Sequence, residues 1–174
     1  MHTPRNTEKD VYWMQHALAL AADAAAQGEV PVGAVVVFKE KIIGAAHNLR
    51  ETQQDPLAHA EVLAIQQASQ YLGSWRLEDC TLYVTLEPCP MCAGAMWLAR
   101  VSHCVFGCTD PRSGYLSSVA NLMDHQSLNH HYTITSGVCK EECSEILRTF
   151  FRRIRERRSA KRAKQNSKGY ITEE

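Results

Sequence analysis

The sequence predicts a single α/β domain: a layered sheet with helices on both faces. Short β-branched and apolar runs alternate along the chain with longer, Ala-rich stretches of helical periodicity, which is the pattern of such a fold. A length of 174 residues suits one domain. The composition, 45% apolar and 22% charged, suits a chain that buries a core.

Residues 8–27 read as a helix, with a broad apolar stripe, Glu8 and Asp10 at its positive end and Gly28 just beyond it. Residues 33–38 (GAVVVF) have the apolar, β-branched character of a buried strand. Lys39-Glu40-Lys41 forms a polar turn, and residues 42–48 return as a second strand. Pro56 precedes a helix over residues 58–71. TLYVTL at 81–86 is a third strand, followed at once by Glu87-Pro88 and a second Ala-rich helix over 90–100. Residues 103–107 and 132–135 are two further short strands. The last helix, 140–158, carries Ile146, Leu147, Phe150, Phe151 and Ile154 as its apolar members. The expected division is a domain of residues 1–158 and a basic, disordered tail of residues 159–174.

Several classes are excluded. The longest aliphatic run, residues 17–22, falls far short of the ~18 residues of a membrane span. The opening MHTPRNTEKD has no apolar core of a secretory signal. Seven cysteines in a chain able to build its own core argue against a disulfide scaffold and for an intracellular, cytoplasmic protein with metal-binding or reactive thiols. Zero net charge hides an asymmetry: residues 1–147 hold 9 Lys/Arg against 16 Asp/Glu, and residues 148–174 hold 10 against 3. Such a basic end is either a polyanion-binding arm or a solvated helix end.

Two segments carry chemistry, His59-Ala60-Glu61 and Pro88-Cys89-Pro90-Met91-Cys92. Cys89 and Cys92 stand three apart at a helix start, where both thiols point one way and the helix dipole favours thiolate. Two thiolates and an imidazole give three ligands to one zinc ion per chain, the number that leaves a position open for water. Zinc lowers the pKa of its water to roughly 7. Glu61, two positions from His59, faces away from a shared ligand face, and a carboxylate beside the metal can move protons. A lone Cys-x-x-Cys also fits a structural zinc knuckle or a redox pair. Here a His-x-Glu opens one helix, the Cys pair opens the next, a strand lies between, and no second pair with zinc-finger spacing follows. Cys80, Cys104, Cys108, Cys139 and Cys143 read as core or surface residues.

The order His-x-Glu, strand, Pro-Cys-x-x-Cys is known as the signature of zinc-dependent nucleobase deaminases. The run Asp55-Pro56-Leu57-Ala58-His59-Ala60-Glu61, with Leu82-Tyr83-Val84-Thr85-Leu86-Glu87-Pro88-Cys89-Pro90-Met91-Cys92-Ala93-Gly94-Ala95-Met96, resembles the bacterial tRNA-specific adenosine deaminases of the cytidine-deaminase-like superfamily. Glu29-Val30-Pro31-Val32-Gly33, Asn48, Phe106-Gly107, Asp110, Leu122-Met123-Asp124, Asn129-His130 and Phe150-Phe151-Arg152 extend the match over residues 8–158. The resemblance implies a three-layer α/β/α fold on a five-stranded mixed sheet, a homodimer, and hydrolytic conversion of the anticodon wobble adenosine to inosine in tRNA. It implies His59, Cys89 and Cys92 as zinc ligands and Glu61 as the proton shuttle. Asn48 would contact the flipped base, while Asp110, Asn129, His130 and Phe151 would line the groove for the anticodon loop. The chain departs from the family pattern at His47, at Gln54 where His is common, and in the loop after Asp110, which is longer and bulkier through Tyr115 and Leu116.

Two other readings stand beside this one. A free-base guanine or cytosine deaminase shares the Pro-Cys-Pro-Met-Cys core but has no need of a basic C-terminal helix. A zinc-stabilised binding module has no use for a free carboxylate next to the metal.

Overall fold

The fold was analysed in a computed structural model that describes residues 8–168, with side chains to Ala163. Strand β1 (Gly33–Phe38) pairs antiparallel with β2 (Lys41–His47) and with β3 (Thr81–Leu86), while β4 (His103–Cys108) and β5 (Thr133–Ser136) add in parallel. The result is the expected five-stranded mixed sheet, ordered β2-β1-β3-β4-β5. Lys39 and Glu40 close the β1–β2 hairpin with φ of 46° and 60°. Positive φ at both central residues matches the strand twist, which is why a two-residue turn suffices.

Alternation along the strands sorts the core into two layers. Ala34, Val36, Leu82, Val84, Cys104 and Phe106 pack on one side with the alanines of α3 (Ala60–Leu72) and with Ala93 and Met96 of α4 (Pro90–Leu98). Val35, Val37, Tyr83 and Val105 pack on the other with Trp13, Met14 and Ala17 of α1 (Glu8–Ala26) and Cys143 of α5 (Lys140–Lys168). These are the three layers the resemblance implied. Small residues let α3 lie very close to the sheet: a Cβ on Gly44 would come within 2.2 Å of the Ala64 carbonyl oxygen. All seven cysteines are free; Cys80, Cys104, Cys108 and Cys143 are buried and Cys139 is half-buried.

The structure adds two short elements the sequence reading lacks, α2 (Arg50–Gln53) and a 3₁₀ turn at Leu122–Asp124. Neither is long enough to show a periodicity. A larger difference concerns α5, expected to end at residue 158 but continuing to Lys168. Residues 159–168 (SAKRAKQNSK) contain no Gly or Pro, and a nucleated helix propagates readily through Ala, Lys, Arg and Gln. The rest of the expected tail, 169–174, lies outside the described residues, as do residues 1–7. Among the described residues no helix is long and apolar enough to cross a membrane.

Gly44→Ala should destabilise the fold by about 1–3 kcal/mol, because the added methyl collides with backbone rather than with a side chain that could turn away. The measurement is the urea unfolding midpoint. An unchanged midpoint would mean that α3 yields freely.

Candidate active site

Two helix N-termini meet beside the C-terminal end of β3. His59 is the extended residue that opens α3, at φ −79° and ψ 148°, and Cys89 opens α4 in the same way, at φ −73° and ψ 172°. Pro90 sits in the first turn of α4, where its missing N–H costs nothing. Neither opening side chain caps its own helix, so imidazole and thiol are both free to turn inward. The His59 Nδ1 atom lies 3.7 Å from Cys89 Sγ and 3.4 Å from Cys92 Sγ, and all three ligand atoms fall within 4.8 Å of one another. One nitrogen and two sulfurs so spaced could hold a single metal ion, and the donor set suits tetrahedral zinc with one position left open. Hydrogen bonding from Cys92, then from His59, brings the Cys89 thiol down to about 4, so the thiolate form is available. The hydrogen bond to Cys89, together with burial, pushes the Cys92 thiol up.

Glu61 lies in the first turn of α3 and is 4% exposed. Burial pushes its carboxyl above the usual range, the direction expected of a group that holds a proton. It lines a cavity of about 130 Å³ together with His59, Cys89, Asn48, Asp110 and Ser113. The structure thus brings together six of the nine residues singled out from sequence: Cys92 completes the ligand trio, and Asn48 and Asp110 join Glu61 in the cavity wall. The cavity continues, past Arg50, Asp110 and Ser113, into a groove lined also by Arg112, Arg148, Phe151, Arg152 and Arg155. Phe151 is therefore in the groove rather than in the cavity, with 42% of its surface exposed. Asn129 and His130 are elsewhere. Asn129 Oδ1 accepts from Arg100 at 3.0 Å and His130 Nε2 lies 2.8 Å from the Val101 carbonyl, both just before the start of β4, whereas Asp110 follows its end.

Two further carboxylates were not assigned a role from the sequence. Glu29 is fully buried and accepts from Asn48 Nδ2 at 3.0 Å and from the N–H groups of Glu51 at 3.2 Å and Thr52 at 2.6 Å. Glu87, 2% exposed, accepts from the loop after β4. Burial works to raise both acids, but the hydrogen bonds they accept outweigh it and hold both below the usual carboxylate range. The available signal was an acid followed within two residues by proline, in Glu-Val-Pro-Val and Leu-Glu-Pro-Cys. Tyr115 and Leu116, the bulky residues of the loop, do not line the cavity; both pack into the core and Leu116 is fully buried.

A model of the MafB19-like deaminase family matches residues 8–155. The tRNA-specific adenosine deaminase of Bacillus subtilis is 50% identical over 154 residues, covering 88% of this chain and 96% of the relative. The chain belongs to the tRNA-specific adenosine deaminase family. The Haemophilus influenzae member is 45% identical, over 90% of this deaminase and 91% of that one. Among solved structures, one from work on A-to-I editing by tRNA:A34 deaminases at the wobble position of transfer RNA superposes with a TM-score of 0.76. It is 38% identical, over 78% of this deaminase and 99% of that chain. A guanine deaminase from Bacillus subtilis is also 38% identical, but with a TM-score of 0.55 over 59% of this deaminase and 65% of that chain.

The purified deaminase should carry one zinc per chain, and replacing His59, Cys89 or Cys92 with Ala should abolish binding. Elemental analysis of wild type and variants checks this. Two tightly held zinc ions per chain would bring Cys139 and Cys143 back as ligands.

Proposed function

We propose that this deaminase hydrolyses the wobble adenosine of a tRNA anticodon to inosine, with release of ammonia. The carrying observation is that the cavity holding a buried carboxylate beside a His/Cys/Cys trio opens directly into an arginine-lined groove. The names of the relatives support the same substrate. A free base would have no use for five arginines, whereas phosphates would.

In this reading His59, Cys89 and Cys92 hold zinc, which when bound supplies a water acidic enough to act as a nucleophile near neutral pH. Glu61 would move protons beside this site, taking one from the attacking water and delivering it to ring N1 of the adenine. It then carries the second proton to the amino nitrogen, which leaves as ammonia. Asn48 orients the extruded base, since its amide nitrogen is steadied by Glu29 and the residue lines the cavity. The anticodon loop is single-stranded, so the base can leave the stack at little cost. Asp110 borders the base, and Phe151 offers a ring on which a neighbouring base can stack. Asn129 and His130 would reach RNA beyond the cavity. We further propose a homodimer, for which exposed Leu57 and Leu98 on the α3–α4 layer offer apolar surface, and a cytoplasmic location where tRNA is found.

Glu61→Ala should keep its zinc and its fold while losing about 10²–10⁴ in turnover on an anticodon stem-loop with adenosine at the wobble position. Loss of zinc from that variant at ordinary metal concentrations would make Glu61 a ligand instead. The same assay with free guanine and cytosine separates the free-base reading: inosine from the stem-loop supports the proposal, xanthine or uracil alone opposes it.

The groove and the chemistry should separate kinetically. Replacing Arg152 and Arg155 with Ala should raise KM and flatten the salt dependence of binding by about 0.7 in log–log slope for each phosphate no longer neutralised. Turnover at saturation should change little, because these arginines hold phosphate equally in ground and transition states. An unchanged KM at two salt concentrations would remove the groove from the RNA path.

A further inference from the structure

We propose that Glu87 is a positioning residue for the substrate: its buried carboxylate clamps the loop of residues 110–118 and so holds one wall of the base cavity. This rests on the deaminase activity proposed for that cavity. The Glu87 carboxylate accepts from the N–H groups of Asp110 at 3.0 Å, Leu116 at 3.2 Å, Ser117 at 2.7 Å and Ser118 at 2.9 Å. It also accepts from the hydroxyls of Ser117, at 3.1 Å, and Ser118. A carboxylate offers about four lone-pair sites. Here one loop takes them all.

The clamp is tied to the sheet and to the turn that carries the first thiol. Glu87 N–H donates to the Cys108 carbonyl at 2.8 Å, and the neighbouring Pro88 carbonyl accepts from Tyr115 N–H at 2.9 Å. Gly114 lies flat against the acid: a Cβ there would come within 2.3 Å of the Glu87 carboxylate. Fully buried Leu116 anchors the loop from the core side. Beside Glu87 itself, the loop presents to the cavity the small turn in which Asp110 accepts from Arg112 N–H at 2.9 Å and Ser113 Oγ at 2.5 Å.

Removing the acceptor charge strands four amides and two hydroxyls, so the loop opens and the Asp110–Ser113 turn loses its fixed place. His59 and Cys89 are held by helix starts and do not depend on the loop. A wall that meets the base in ground and transition states alike affects KM rather than kcat. A purely structural acid would lower thermal stability without that split.

The test compares wild type, Glu87→Gln and Gly114→Ala. Gly114→Ala keeps the acid but drives a methyl into it, and it carries the test should Glu87→Gln fail to fold. Three quantities are measured: zinc content, hydrogen exchange of the 116–118 amides, and kcat and KM on the anticodon stem-loop. Both variants should keep one zinc per chain and exchange those amides at least about tenfold faster, with KM raised about tenfold and kcat within about threefold. Unchanged exchange, or faster exchange with unchanged KM, would overturn the proposal, and so would loss of zinc from Glu87→Gln. A wild-type protein inactive on the stem-loop whose variants still exchange faster would overturn the proposed substrate and leave the clamp standing.

Discussion

A buried carboxylate must find donors or a proton, and three of them, Glu29, Glu61 and Glu87, surround one small cavity. Much of the irregular backbone around the cavity meets that requirement. The short α2 helix begins where the N–H groups of Glu51 and Thr52 turn to Glu29, and the loop after β4 folds back so that its amides reach Glu87. Only Glu61 is left without such a cradle of loop amides, and it is the acid whose carboxyl is pushed up rather than down. The contrast assigns roles. Acids that accept several hydrogen bonds stay ionised and hold structure, and the one that burial leaves near its proton can exchange it.

This division explains what could be read from the sequence. Regular elements announce themselves by period, so β1, β3, α1, α3 and α4 were legible to within a residue or two. The His-x-Glu and Pro-Cys-x-x-Cys motifs were legible because metal ligation needs particular side chains at helix starts, and those positions are local in sequence. Glu29 and Glu87 stand in the same matched motifs, yet their partners lie 19 to 31 residues away. No local pattern reports such a bond. Tyr115 and Leu116 show the same limit: sequence marks the loop as bulky but does not say which way the bulk points, and the fold turns both residues into the core.

Asn129 and His130 lie away from the cavity for an equally plain reason: the connection to a parallel β5 must cross back to the sheet end at which both strands begin. The long run of α5 was hidden by its charge. A polar, basic segment reads as a solvated tail, while its helix propensity is high enough to prolong a helix already packed through Cys143 and Leu147.

The charge asymmetry of the chain now has a place in space. Glu29 and Glu87, held ionised by the hydrogen bonds they accept, put negative charge around the cavity that must receive a nucleotide, and the same sign on a phosphate would be repelled at its mouth. Arg50, Arg112, Arg148, Arg152 and Arg155 stand in the adjoining groove, three of them contributed by α5. With a screening length near 8 Å at physiological salt, only charges within the groove act strongly on a phosphate there. The acidic balance of the body, spread over other surfaces, then disfavours approach elsewhere without opposing it at the groove. Arg50 and Arg148 already touch surface glutamates, at 3.3 and 2.9 Å, but those pairs are exposed and weak, so exchanging a glutamate for a phosphate costs little. In the proposed function, the basic end of the chain would orient a polyanion toward a cavity that could not attract it unaided.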